Sequence, residues 1–171
     1  SDRVEYEVIE KETSGIFGIF SKPAKIRVKV KSDEKEIAAD YLKKIFDAME
    51  IVADIDIKFD KEAKQMDIEL SGDEMGILIG KRGVTLDSLQ YLVSLVVNRN
   101  SEDYIKVKID TENYRERRKE TLENLAKNLA HKVKRIHRPV YLEPMNPYER
   151  RLIHSTLQKD KYVETHSEGE E

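Results

Sequence analysis

Residues 76–83 read GILIGKRG, an apolar run that ends in two glycines enclosing two cations. How those last four residues are read decides the fold. A nucleotide phosphate loop needs G-x-x-x-x-G-K-[ST], with the hydroxyl holding magnesium. Here Gly76 and Gly80 enclose three residues, and Arg82 stands where Ser or Thr is required. The alternative is a G-x-x-G turn between two helices, Gly80-Lys-Arg-Gly83. Glycine lets the backbone bend sharply and leaves no Cβ in the way of a ligand. The amides of a following helix favour phosphate oxygens. Lys81 and Arg82 are then expected at an exposed tip. A structural turn that is merely basic is the competing reading. The bare spacing carries little, because Gly15–Gly18 is also G-x-x-G but has Ile and Phe in the middle and strands on either side.

The surroundings of Gly80–Gly83 carry more. "SDEKEIAADYLKKIFDAME" predicts a helix capped by Ser32 or Asp33, with Ile37, Tyr41, Leu42, Ile45, Phe46 and Met49 on one face. "VADIDIKFD" and "KQMDIEL" alternate as strands. "DEMGILIG" predicts a short helix, "KRG" its turn, "VTLDSLQYLVSLVVNR" a longer helix and "DYIKVKID" a strand. The order is helix, strand, strand, helix, helix, strand. With the basic G-x-x-G between the paired helices, residues 36–110 resemble a KH domain of the bacterial, type II order (α-β-β-α-α-β). The resemblance implies that Gly80, Lys81, Arg82 and Gly83 clamp the backbone of a single-stranded nucleic acid, with an adjacent apolar groove for its bases.

Upstream, "VEYEVIEKET" and "AKIRVKV" read as two strands that pair, linked by the apolar "SGIFGIFSKP". That link is a satellite core, a partner-docking patch or a membrane-touching tip, and is too short to span a bilayer. "KSDEKE" marks a boundary, with residues 32–35 as linker. Downstream, "TENYRERRKETLENLAKNLAHKVKRI" predicts one long helix with Leu122, Leu125, Ala126, Leu129 and Val133 at helical spacing. "RPVYLEP" predicts a short strand, and "NPYERRLIHSTLQ" a helix capped by Asn146 with Pro147 in its first turn. "KYVETHSEGEE" predicts a strand that gives way to Gly and Glu.

In that last helix Arg150 and His154 are four apart and share a face. Eleven Arg and four His make such a pair weak evidence alone. The basic helix, the Pro-bounded segment and "VETHSEGE" around it resemble an R3H domain, a small α/β unit over residues 111–171. The resemblance implies a nucleic-acid surface in which Arg150 contacts phosphate, His154 donates to phosphate or stacks on a base, and Arg151 assists. The competing reading pairs Arg150 with Glu149 and packs His154 against Leu157. R3H domains usually continue into a further basic strand, so this one is expected to lack its final strand.

A KH domain followed by an R3H domain, with "GIFGIFSKPAKIRVKV" upstream, resembles the bacterial Jag family, also called KhpB. Residues 1–31 correspond to the last part of that family's N-terminal domain, and the absence of an initiator Met suggests trimming at this end. The expected fold is therefore α+β, with a partial N-terminal β segment, a type II KH domain and an R3H domain. The family implies a cytoplasmic RNA-binding regulator linked to cell envelope growth, division or sporulation, working with a second small KH protein. Single-stranded DNA as ligand, a homodimer, and a protein-protein adaptor whose KH-like fold dimerises remain as alternatives.

Composition narrows the chemistry. The 171 residues contain no Cys, which excludes disulfides and Cys-based zinc sites. Net charge is −3, but it is unevenly placed. Residues 36–70 hold ten acidic and five basic side chains, and residues 111–158 hold six acidic and eleven basic. That asymmetry suggests one part for polyanions and another that repels them, unless solvated helix faces simply differ. There is no His-x-x-x-His pair for a metal and no G-x-S-x-G setting for a serine nucleophile. No enzyme activity, cofactor, metal or membrane span is expected.

Overall fold

The computed structural model describes residues 4–10, 24–30, 33–99, 101 and 103–169. β1 (Val4–Glu10) and β2 (Lys25–Val30) form an antiparallel pair, with Val8 opposite Ile26 and an irregularity between Val8 and Glu10. The Gly15–Gly18 segment between them, and Ser32, lie outside the described residues.

α1 (Glu34–Met49) starts at Asp33, whose carboxylate accepts from the Lys35 amide at 3.3 Å. Its buried stripe is Ala38, Leu42 and Phe46. This corrects the expected face: Ile37, Tyr41 and Ile45 are half-buried flanks, and Met49 is exposed. Ala38 sits at the centre because a methyl group lets the helix approach its neighbours closely. β3 (Asp54–Asp60) and β4 (Gln65–Ser71) pair antiparallel, and β5 (Lys106–Thr111) joins β4 in parallel, giving the order β3-β4-β5. A parallel neighbour requires a crossover. It is built from α2 (Met75–Ile79), a single 3₁₀ turn (Lys81–Gly83) and α3 (Val84–Asn98). The α-β-β-α-α-β order expected of a type II KH fold is therefore present.

Alternation in β4 and β5 sends Met66, Ile68, Leu70, Val107 and Ile109 to one face, where they meet Leu42 and Phe46 of α1 and Leu86, Leu89, Val93 and Val97 of α3. The opposite face carries exposed Asp56, Lys58, Asp67, Glu69 and Lys108. Side-chain amides hold β5 against α3. The Asn98 amide bonds both the N–H and the C=O of Ile105, at 2.7 and 2.9 Å, and the Gln90 oxygen accepts from Ile109 N at 3.0 Å.

α4 (Tyr114–Ile136) and α5 (Pro147–Leu157) make the second unit. Leu122, Ala126 and Ala130 of α4 pack on Ile153 and Leu157 of α5, so Ala130 replaces the expected Leu129 in the buried stripe. The two strands expected in this unit, within 138–144 and from 161, do not form; both segments are irregular. A strand needs a ladder partner, and Pro139 and Pro144 have no N–H to offer one.

Candidate nucleic-acid interface

The Gly80–Gly83 turn owes its shape to its two glycines. Gly80 has φ 67° and ψ −168°, a region that essentially only glycine occupies, and a Cβ there would lie 2.0 Å from Thr85 Oγ1. Gly83 has φ 81°, and a Cβ there would lie 2.8 Å from Cε1 of Tyr114. At Gly76 a Cβ would meet nothing within 4 Å. The required pair is therefore the G-x-x-G pair, and the phosphate-loop spacing from Gly76 has no steric basis.

The tip between the glycines is not uniformly open. Lys81 is exposed, and among the described residues its ammonium has no partner. Arg82 departs from the expectation of an exposed tip. Its backbone sits at φ 58°, ψ 30°, and its side chain is 22% exposed. The guanidinium donates to the Glu143 carboxylate and to the Pro144 carbonyl, both in the segment between α4 and α5. Exposed Ile77 and Val84 flank the turn.

α5 positions the second set. Asn146 caps it by accepting from the Glu149 amide at 2.8 Å, and Pro147 fills the first turn. Glu149, Ile153 and Leu157 form the buried stripe. Arg150 and His154 lie one above the other beside that stripe, and Arg151 is exposed further round the helix. Among the described residues the side chains of Arg150 and Arg151 have no partner. The pairing of Arg150 with Glu149 does not occur: Glu149 Oε1 accepts from Arg118 Nε at 2.8 Å instead. Nor is His154 packed away. It is exposed, and its Nδ1 lies 2.6 Å from Thr165 Oγ1. When Thr165 donates, the proton sits on Nε2, the tautomer that can donate to a phosphate.

The two sets meet indirectly. A cavity of about 300 Å³ at the seam is lined by Arg82 and Gly83 of the turn, Tyr114 and Arg118 of α4, and Tyr148 and Glu149 of α5. Asp87 and Arg115 pair across its wall at 2.8 Å. Burial raises the Tyr114 hydroxyl above its ordinary pKa; Arg118 opposes this while Glu149 and Asp87 add to it, so the phenol stays neutral. Sequence reasoning missed Tyr114, Arg118, Glu143 and Tyr148. Only the clustering of basic residues around α4 hinted at them, since their partners lie 31 to 61 positions away. Among the described residues no group of three His, Asp or Glu could hold a metal ion, and no helix is long and apolar enough to cross a membrane.

Three family models match the chain: the KhpA/KhpB KH domain over residues 35–109, the R3H domain over 120–171, and the Jag N-terminus over 1–30. A protein of Clostridium symbiosum named RNA-binding protein KhpB is 63% identical over 171 residues, covering 100% of this chain and 77% of its own length. Its namesake in Bacillus subtilis (strain 168) is 40% identical over 172 residues, covering 99% and 82%. That of Lactiplantibacillus plantarum is 34% identical over 149 residues, covering 86% and 46%. A glycine-dependent basic turn between the paired helices of a KH unit, an R3H helix pair beside it, and relatives that match this chain over its full length place the chain in the KhpB family.

Proposed function

We propose that the chain is a non-catalytic, single-stranded RNA-binding protein that grips its ligand at two surfaces. The first is the Gly80–Gly83 turn, with Lys81 and Arg82 on phosphates. The second is the face of α5 bearing Arg150, Arg151 and His154. The observation that carries this is the backbone of Gly80 and Gly83, which forces a tight turn with an unpartnered lysine at its tip. The relatives' shared name, RNA-binding protein, points the same way. Glu143 holds Arg82, and a phosphate oxygen would replace that carboxylate charge for charge. The family resemblance adds a cytoplasmic, post-transcriptional role in envelope growth, division or sporulation.

The test is binding to a mixed pool of short single-stranded RNAs, with matched DNA as a second arm. Replacing Lys81 and Arg82 together by Asp weakens binding at least about tenfold at low salt, because two phosphate contacts become repulsive. Glu143→Gln, which removes the competing carboxylate charge from Arg82, tightens binding about threefold and steepens the salt dependence by roughly one ion. Unchanged binding in the double variant removes the loop from the mechanism.

An exposed stripe on α3 (Val84, Tyr91, Leu92 and Leu95) favours a second, compatible reading. In it the KH unit also docks a second copy of the chain or a second small KH protein. Tyr91→Glu then lowers the sedimentation coefficient of the complex; a protein that sediments as a monomer at high concentration, alone and mixed, ends this reading.

A further inference from the structure

α4 segregates its charge along its length. Its three acids, Glu116, Glu120 and Glu123, all lie within its first ten residues. From Asn124 to Leu142 the chain has no acid, against five Lys or Arg and two His. Of the five cations, Lys134 is held by Asp160 at 2.5 Å. The other four, Lys127, Lys132, Arg135 and Arg138, are exposed and have no partner among the described residues. The helix end accounts for part of this surplus. Its carbonyls amount to about half a negative charge, felt within the last turn. Lys134 and Arg135 lie in that turn, whereas Lys127 and Lys132 lie further back and Arg138 lies beyond the helix. The surplus exceeds what the helix end requires.

The cations frame a straight stripe. Asn124, Asn128, His131 and Arg135 recur at i, i+4, i+7 and i+11, on the side of α4 turned away from buried Ala126 and Ala130. All four are exposed, and the stripe carries no aromatic or aliphatic side chain over a length of about 16 Å. Those features restrict the polyanion. Bases of a flexible single strand are held largely by stacking on rings, which are missing here. An anionic bilayer is bound through apolar side chains that insert beneath the headgroups, and the stripe has none. Duplex RNA is recognised by shape, through phosphates and 2′-hydroxyls across a wide, shallow minor groove. Its two strands double the charge per unit length, and a side-chain amide can both donate to and accept from a 2′-hydroxyl.

Building on the RNA-binding reading above, we infer that the outer face of α4 docks a base-paired RNA stem adjoining the single strand held at the turn and on α5. Lys132 and Arg135 take phosphates, and Asn124 and Asn128 meet 2′-hydroxyls. The stem is bound for its shape and charge, and none of its bases is read.

The experiment compares three fluorescent RNAs on the full chain by anisotropy, at about 0.15 M salt, where exposed charges act over about 8 Å. They are a short single strand, the same strand extended into a stable hairpin, and the same strand extended to equal length by unpaired oligouridine. The hairpin RNA binds about tenfold more tightly than either of the others, with a salt dependence steeper by roughly two ions. Lys132→Gln combined with Arg135→Gln removes most of that gain and changes binding of the plain strand less than twofold. Equal binding of the hairpin and the unpaired extension by the unaltered chain overturns the stem site alone. So does a double variant that keeps the gain, or one that weakens all three RNAs alike, which assigns the effect to the general field of the protein. Cosedimentation with vesicles of phosphatidylcholine and phosphatidylglycerol is the further arm: vesicle binding lost in the double variant while the hairpin gain persists assigns the face to membranes and overturns the inference. Absence of binding to every RNA at low salt overturns both this inference and the RNA-binding reading. Circular dichroism checks the helix content of the double variant. Should it fall, Lys127→Gln with Arg138→Gln decides, and an undiminished hairpin gain there overturns the site.

Discussion

The KH unit and the helix pair behind it are held together differently. In the first, sixteen buried apolar side chains from α1, α2, α3, the sheet and the segments leading into β3 and β5 form one cluster, with half-buried Ile55, Ile57 and Phe59 of β3 around it. In the second, the buried cluster is five side chains, two of them alanines. A core that small removes little apolar area from water, so specific polar contacts have to supply part of the stability. They are visible: Arg118 to Glu149, Lys134 to Asp160 at 2.5 Å, the Asn146 cap, and the contacts of Arg82 with Glu143 and Pro144. The last of these, with Tyr114 lying against Gly83, ties the thin unit to the thick one at the proposed phosphate-binding turn. The proposed ligand contact at the turn and the stability of the helix pair therefore share the same residues.

The largest expected effect sets the two cores directly against each other. Leu122→Ala removes the most fully buried of the three large side chains in the small cluster and costs about 3 kcal/mol. Native-state hydrogen exchange then shows α5 amides losing protection while β4 amides keep theirs. Leu70→Ala, of similar local cost, exposes the amides of both units. If Leu122→Ala lowers protection in β4 as much as in α5, the chain unfolds as one body and the contrast between the units fails.

A smaller effect is a pH dependence confined to the second unit. The Lys134 ammonium and then the Tyr162 amide, at 3.1 Å, hold the Asp160 carboxyl below its usual range. A group whose folded pKa is depressed contributes stability above its unfolded value and loses it as pH falls through the folded one. Asp160→Asn therefore destabilises the helix pair slightly at neutral pH, and the difference from the unaltered chain disappears on acidification. A difference that persists at the acidic end assigns the effect to geometry rather than to the charge.

Much of the KH unit was legible because its signals are local. Alternation in "MDIEL" and "IKVKID" reports strands, and the apolar spacing of "VTLDSLQYLVSLVVN" reports a half-buried helix, since each follows from backbone periodicity. The caps at Asp33 and Asn146 and the turn at Gly80–Gly83 were readable for the same reason. The strands anticipated within 138–144 and from 161 failed because β structure needs a partner elsewhere in the molecule, and periodicity is silent about partners.

The sequence by itself determined which residues could make a basic G-x-x-G turn and a helix face with Arg150 over His154, because glycine's freedom and the helical repeat act within a few residues. Only the tertiary structure decided that Lys81 stays open while Arg82 is taken by Glu143, that Arg118 rather than Arg150 claims Glu149, and that Tyr114, Tyr148 and Glu149 enclose a cavity beside the turn. Ion pairing and burial act through space between residues far apart in the chain, and no local pattern chooses among the many acids and bases available to pair.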